Sequence, residues 1–314
     1  MTALNTLGIL YPDATQSYSQ SRFKKAIFGY GLFSTTNLSL TNQVSITGVV
    51  ATDVAGVGTG RYRLAATSYG GDRAIFGYGN TDSPNQTVSM TNLVSNLGVV
   101  GTDVTGVGTA RMSPSAAGYG GDKGIFIGGY SAPNYYQLSN LVSNVGVVSS
   151  DVSFSGWGGY MELAGATYGV DKAIFGYGRF GVNLNSTTTL VTNTGVVGNS
   201  VAGVGTARYS LAAAGYGGDK AIFGYGYNNS VMLSMSNLVT NTGVVATDVT
   251  GVGTARWALA AAGYGGDKAI FGYGSTGSGQ LSLTNLVSNI GVVSSDVSGI
   301  GTTRFAPAAS GYGS

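Results

Sequence analysis

The chain has 314 residues, a net charge of +2, no Cys and no His, and charged residues make up only 9% of it. That alphabet excludes disulfide frameworks, thiolate nucleophiles, imidazole metal sites and Ser-His-Asp triads. With Lys24-Lys25 as its longest basic run, the chain also lacks the field that would hold nucleic acid or an anionic membrane.

Residues 1–23 carry neither the basic n-region nor the apolar h-region of a signal peptide, and no apolar run in the chain approaches the roughly 20 residues of a membrane-spanning helix. Synthesis in the cytoplasm without export signal or membrane insertion is expected. Leu7, Ile9, Leu10 and Tyr11 match nothing downstream, so 1–23 reads as an N-terminal extension that anchors the chain to a partner.

From residue 24 onward the sequence repeats. The Ile of an AIFGYG-like motif stands at 27, 75, 125, 174, 222 and 270, and a Gly-Val-Val follows each at Gly48, Gly98, Gly146, Gly195, Gly243 and Gly291. A third marker is the Arg of GVGTAR, at Arg61, Arg111, Arg208, Arg256 and Arg304, with Met161 read as its sixth counterpart. A period of 48 to 50 residues signals a solenoid, a propeller or an array.

One unit, 256–303, contains the segments WALAAAG, KAIFGYG, QLSLTNLVS and IGVVSSDV, each short, apolar or alternating, and none with a helical period. Four strands are predicted, the first two joined by a tight turn at Tyr264-Gly265-Gly266-Asp267, where Gly supplies positive φ. The chain enters its first copy inside a second strand, at Lys24-Lys25-Ala26-Ile27, and RFAPAASGYGS at the C-terminus reads as a first strand lacking its second. These fragments complete each other. The expected fold is all-β: a six-bladed β-propeller over 24–314 with four antiparallel strands per blade, closed by pairing the N- and C-terminal strands in one shared blade.

The order Arg256, Ala260-Ala261, Gly265-Gly266, the strand AIF and then a glycine pair resembles the Kelch repeat, whose blades carry a double glycine after the second strand. The third copy has that pair literally, Gly128-Gly129, while the others place Tyr-Gly there. The resemblance covers about 24–313 and implies the propeller architecture; a function does not follow from it.

The repeated charges are expected to cap turns and pair near blade junctions, the alternative being an Arg ring that binds an anion in a central channel. GVGTAR lacks the Lys-Ser/Thr of a phosphate loop, and TDVTGVG lacks the spaced acids of an EF-hand, so both read as turns. No metal or cofactor is expected. The recurrent Tyr at 69, 119, 168, 216, 264 and 312 reads as packing between blades.

Individuality lies between the second and third strands and in one link. Where other copies read VTGVGTAR, the link leaving the third copy reads FSGWGGYMELAG, with Trp157, Tyr160 and the only Glu, Glu162, and the preceding variable loop carries Tyr135 and Tyr136. These five residues are the expected ligand-binding set, because aromatic side chains beside polar ones grip sugars or protein hot spots. The expected function is a non-enzymatic binding and structural protein: a phage virion component, tail fibre or decoration protein, presenting a variable face to a host glycan or protein, with other virion proteins held through 1–23. An intracellular Kelch-like scaffold in the cytoplasm is the alternative. A carbohydrate-active enzyme ranks last, since chemistry resembling galactose oxidase needs imidazole and a Tyr-Cys crosslink, and Glu162 has no carboxylate partner nearby in sequence.

Overall fold

The computed structural model describes residues 23–81, 86–156 and 158–314, and these are all-β: every regular element is a strand. Six sheets of three or four strands follow in chain order, with four two-stranded hairpins between their second and third strands, and in each of the six the two inner strands are the predicted ones. Ala260–Tyr264 pairs with Lys268–Gly272 about a turn in which Gly265 and Gly266 have φ of 62° and 83°. A side chain is strained in that left-handed region, which is why the turn is Gly-Gly-Asp.

The second, fifth and sixth sheets have the inner strands Ala65–Tyr69, Ala212–Tyr216 and Ala260–Tyr264, each followed outward by an AIFG-type strand and a third strand. The third and fourth sheets start from Ser115–Tyr119 and Ala164–Tyr168 and add a fourth strand, Val152–Ser153 and Val197–Val201. In the first sheet the inner strand is C-terminal: Lys25–Phe33 pairs with Ala308–Tyr312, Ile27 opposite Ser310.

Four of the six sheets therefore lack the predicted regular fourth strand. Their outer segment makes only two isolated bridges to the third strand, such as Val44↔Val50 and Thr41↔Val54, and the register slips by one residue between them. The intervening Asp53 turns its carboxylate toward Asn42 and Thr302 where the backbone bulges out of the ladder, and the same slip occurs in the fourth sheet beside Ser200.

Apolar side chains gather in six clusters, each drawn from two neighbouring sheets. Ala166 and Ile174 of the fourth sheet pack on Leu211 and Phe223 of the fifth, and Phe28 of the first packs on Ile270 of the sixth. Each such Phe is fully buried and worth about 2–3 kcal/mol in apolar burial. The Gly closing AIFG makes room for it: a Cβ on Gly29 would meet Phe76 Cζ at 2.8 Å.

Two sets of backbone hydrogen bonds run from sheet to sheet. At one end of the inner strands, Ser113 N–H donates to Arg63 O, Glu162 to Ser113, Ser210 to Glu162, Ala258 to Ser210, Ala306 to Ala258 and Arg63 to Ala306, over 2.7–3.3 Å. All six residues are non-glycine in the left-handed region, with φ between 49° and 58°. At the other end the turn glycines Gly70, Gly120, Gly169 and Gly217 donate to the Asp carbonyl of the next turn, Gly265 donates to Lys24 O and Gly313 to Asp72 O. Among the described residues no helix is long and apolar enough to cross a membrane.

Candidate functional site

The five repeated Arg residues are fully buried, and their local geometry explains why the motif recurs. After each AIFG strand the chain kinks at a Tyr-Gly pair, both in the left-handed region: Tyr177 at φ 63° and Gly178 at 88°. The kink turns the Tyr ring toward the next sheet, where an Arg lies over it. Arg208 sits 4.3 Å from the Tyr177 ring centroid, donates Nε to Tyr225 O at 2.8 Å, Nη1 to Thr206 O at 3.0 Å and Nη2 to Asn237 Oδ1 at 2.7 Å. Asn237 Nδ2 in turn donates to Asp248 Oδ1 at 2.9 Å, and Thr206 donates its N–H and Oγ1–H to Asp248 Oδ2. One guanidinium thus ties the inter-sheet link, the kink and the third strand, and leans on the sheet before it. Arg61, Arg111, Arg256 and Arg304 lie in the same way over Tyr30, Tyr78, Tyr225 and Tyr273. None of the five lines either cavity along the inner strands, so each guanidinium serves its own junction.

The electrostatics follow from this burial. Desolvation lowers the pKa of each of these Arg residues, opposed by the facing Tyr and Asp. Burial pushes Tyr30 and Tyr78 up to about 12. Partial burial would raise the Asp248 carboxyl, but the bonds from Thr206 and Asn237 and the Arg208 charge outweigh it and hold it below the usual carboxylate range; Asp53, Asp103, Asp151 and Asp296 behave alike.

The sixth junction, between third and fourth sheets, is built differently. Its Arg position belongs to Tyr160, correcting the assignment to Met161: Tyr160 O accepts from Gly129 N as Arg208 O accepts from Gly178 N, while Met161 bridges Arg179 as Tyr209 bridges Tyr227. The partners have changed with it. Gly128 stands where the other kinks have Tyr, Thr189 in the Asn position opposite Phe175, and Ser200 in the Asp position. Tyr160 packs on the cluster containing Phe175, so one ring replaces both the missing Tyr and the missing guanidinium.

The other expected ligand residues fall into two groups. The loop and the link do converge: a Cβ on Gly159 would meet Tyr135 O at 2.8 Å, and Phe154 N donates to Gln137 O at 3.3 Å. Tyr135 and Tyr136 are half-buried; Tyr135 stacks on Tyr130 at 4.7 Å and on Phe180 of the next hairpin at 4.5 Å, and Phe180 is exposed. Trp157 lies outside the described residues. Glu162 is not a surface acid. Its side chain is 4% exposed, with Oε1 3.3 Å from Arg63 Nη2 and Oε2 accepting from Arg179 Nε at 2.5 Å.

Those two Arg residues open onto a feature the expected set omitted. Arg179 lies over Tyr209 at 4.5 Å, Tyr209 meets Trp257 at 6.1 Å, Trp257 meets Phe305 at 5.1 Å, and Arg63 sits 5.9 Å from both Phe305 and Tyr62. The result is an aromatic arc around one end of the inner strands. It was available in the sequence, because the residue after each junction position is always large: Tyr62, Met112, Met161, Tyr209, Trp257 and Phe305. The bridges Tyr62↔Asn80, Met112↔Tyr130, Met161↔Arg179 and Trp257↔Ser275 join this series to the variable hairpins, so loops and links share a face.

Two cavities lie along the inner strands. One, about 130 Å3, opens among Arg63, Ser113, Glu162, Ser210 and Phe305; the other, about 160 Å3, opens at the Gly-Gly-Asp turns beside Phe23. Among the described residues no group of three or more acidic side chains is placed to hold a metal. No family model matches the chain, and no characterised relative matches it.

Proposed function

We infer that the six sheets are the blades of a closed six-bladed, Kelch-like β-propeller, and that the protein is a non-enzymatic binding module which presents its varied face to a glycan or protein ligand. Closure is supported by the Lys25–Phe33 and Ala308–Tyr312 pairing and by the head-to-tail hydrogen bonds that pass through all six inner strands and return to Arg63. The observation that carries the functional reading is the concentration of rings on the face where the copies differ: half-buried Tyr130, Tyr135 and Trp257 with exposed Phe180, beside a mouth containing Arg63 and Glu162. Rigid aromatic side chains beside guanidinium groups give contact area at low entropy cost. Near-identical repeats, Ser/Thr/Asn loops and an alphabet without Cys or His fit a virion setting, as a phage tail-fibre or decoration protein.

The test is binding to a glycan array together with turnover of the bound oligosaccharides. Each ring should contribute on the order of 1 kcal/mol, so replacing Tyr135 and Phe180 by Ala should weaken binding at least tenfold with little change in Tm. Tyr216→Ala and Tyr264→Ala should do the reverse, since those rings are buried against Gly291 and Gly48 of neighbouring repeats. Cleavage of a bound saccharide would replace this reading with an enzymatic one, and metabolic genes flanking this one would remove the virion setting.

A further inference from the structure

Arg63, Glu162 and Arg179 form a charge cluster with a surplus. Two guanidinium groups share one carboxylate, and the exposures are unequal: 4% for the Glu162 side chain against 21% for Arg63 and 24% for Arg179. The anion is sealed beneath the two cations. Both its oxygens are taken up by the two guanidinium groups, so the more exposed remainder is positive, whereas the five repeated Arg residues are fully buried.

The outward donors are also unoccupied. Besides Glu162, the one hydrogen-bond acceptor of Arg63 among the described residues is Met112 Sδ, met by Nη1 at 4.0 Å, and that of Arg179 is Gly181 O, met by Nη1 at 3.5 Å. Among the described residues no acceptor faces Arg63 Nε or Arg179 Nη2. A guanidinium with free, fixed N–H groups is matched to a planar carboxylate, which it binds through two parallel hydrogen bonds. The neighbours fix the planes: Tyr209 lies under Arg179, and Tyr62 and Phe305 flank Arg63. Inside the mouth Ser113, Ser210 and Ala258 alternate with Leu163, Leu211 and Leu259 around a space of about 130 Å3. Arg63, Glu162 and Phe305 line it, and Arg179 and Trp257 adjoin it through their contacts with Glu162 and Phe305.

We propose that this mouth binds an acidic saccharide, its carboxylate on Arg63 and Arg179 and its ring against the Trp257–Phe305 side of the arc. The proposal rests on the glycan reading above and narrows it to a uronic-acid class of ligand. Glu162 touches no ligand. It is a positioning residue that holds both guanidinium groups in register.

The experiment is calorimetric titration of the full chain with a galacturonate trisaccharide, a galactose trisaccharide and acetate, each at low and at physiological salt. The acidic trisaccharide should bind at least tenfold more tightly than the neutral one, and its affinity should fall with salt because both cations are partly exposed. Acetate alone should bind far more weakly, lacking the ring contacts. Single Arg→Gln changes leave buried Glu162 with one of its two cations lost and risk the fold. A triple variant, Arg63→Gln with Glu162→Gln and Arg179→Gln, keeps hydrogen bonding among neutral groups and should lose at least tenfold in affinity for the acidic trisaccharide while keeping its Tm within a few degrees. Equal binding of acidic and neutral trisaccharides, or acidic binding unchanged in the triple variant, overturns the proposal and leaves the glycan reading standing. Acetate binding as tightly as the trisaccharide also overturns it. Failure of the unmodified protein to bind any saccharide on the array sinks both.

Discussion

Five junctions between sheets are held by a buried Arg, and one, between the third and fourth sheets, by a Tyr. In the five, a Tyr ring, an Arg, an Asn, an Asp and a Thr come from four separate segments, as with Tyr177, Arg208, Asn237, Asp248 and Thr206. At the sixth the ring, the Arg, the Asn and the Asp are replaced together by Gly128, Tyr160, Thr189 and Ser200. A buried guanidinium is held where ring, carbonyls and Asn meet it, as all do at Arg208, because each unmet partner costs about 1–3 kcal/mol. Arg304 keeps its ring, Leu40 O and Asn42 but has no partner for Nε. Exchange of a whole constellation is therefore tolerable where exchange of one member is not. The fully buried Thr189 Oγ1, which has no hydrogen-bond partner, is what remains of the exchange.

The largest test removes one of the five outright. Deleting 304–314 takes away the Arg304 clamp together with the inner strand paired to Lys25–Phe33, and the truncated chain should unfold or aggregate, as read by circular dichroism and light scattering. A monomeric truncation with unchanged Tm would defeat the closed-ring inference. Next, Tyr160→Arg alone should destabilise by about 3 kcal/mol or more in denaturant titration, since the new charge meets Thr189 and Ser200 in place of Asn and Asp. Adding Gly128→Tyr, Thr189→Asn and Ser200→Asp should recover much of that loss. If the fourfold variant is no better than the single one, the constellation is not a unit.

Acid should loosen the five and spare the sixth. The junction Asp residues have lowered pKa values when folded, so their stabilising contribution is present above the ordinary carboxylate pKa and disappears as pH falls through the depressed folded value. Amide exchange below about pH 4 should rise first around Thr59, Thr206 and Thr254, whose N–H groups bond Asp103, Asp248 and Asp296. Alkali acts through the rings: Tyr30 and Tyr78, pushed up to about 12, stay protonated when folded and ionise near 10 when unfolded. Stability should therefore fall from pH 10 upward in thermal melts, and Gly128 removes that sensitivity from the sixth junction. The smallest effect is also in the fourth repeat, where Val170 occupies the second turn-glycine position at φ 81°. Val170→Gly should raise stability by about 1 kcal/mol, because a β-branched residue is strained there.

Much of this was legible beforehand. The period located both inner strands of every sheet, the Gly-Gly-Asp turns and the pairing of 25–29 with 308–312, since each depends on residues close in sequence or on strict repetition. The outer segment is Val-rich and reads as a strand, but its register slips by one residue in every sheet, and in four of them only isolated bridges remain. Counting from the glycine side hid the role of Tyr160, for the link from Gly156 holds one residue more than the link from Gly205; counting back from Leu163 against Leu211 would have found it. The Arg63–Glu162–Arg179 cluster could not be read at all. It joins Arg63 of the second repeat to Glu162 and Arg179 of the fourth, and the sheet-to-sheet hydrogen bonds from Arg63 through Ser113 to Glu162 bring them together.

The inner strand Ala308–Tyr312 runs from the aromatic mouth toward the opposite cavity, and Phe23 lies at that same far end, where its ring abuts Gly311. Both ends of the described chain thus leave from one side, a few residues apart across a single strand pair, Lys25 facing Tyr312. Polarity is built into the attachment. A label placed at Phe23 or Gly313 sits behind the inner strands, and Tyr135, Phe180 and Trp257 lie at their other end whichever of the two positions carries it.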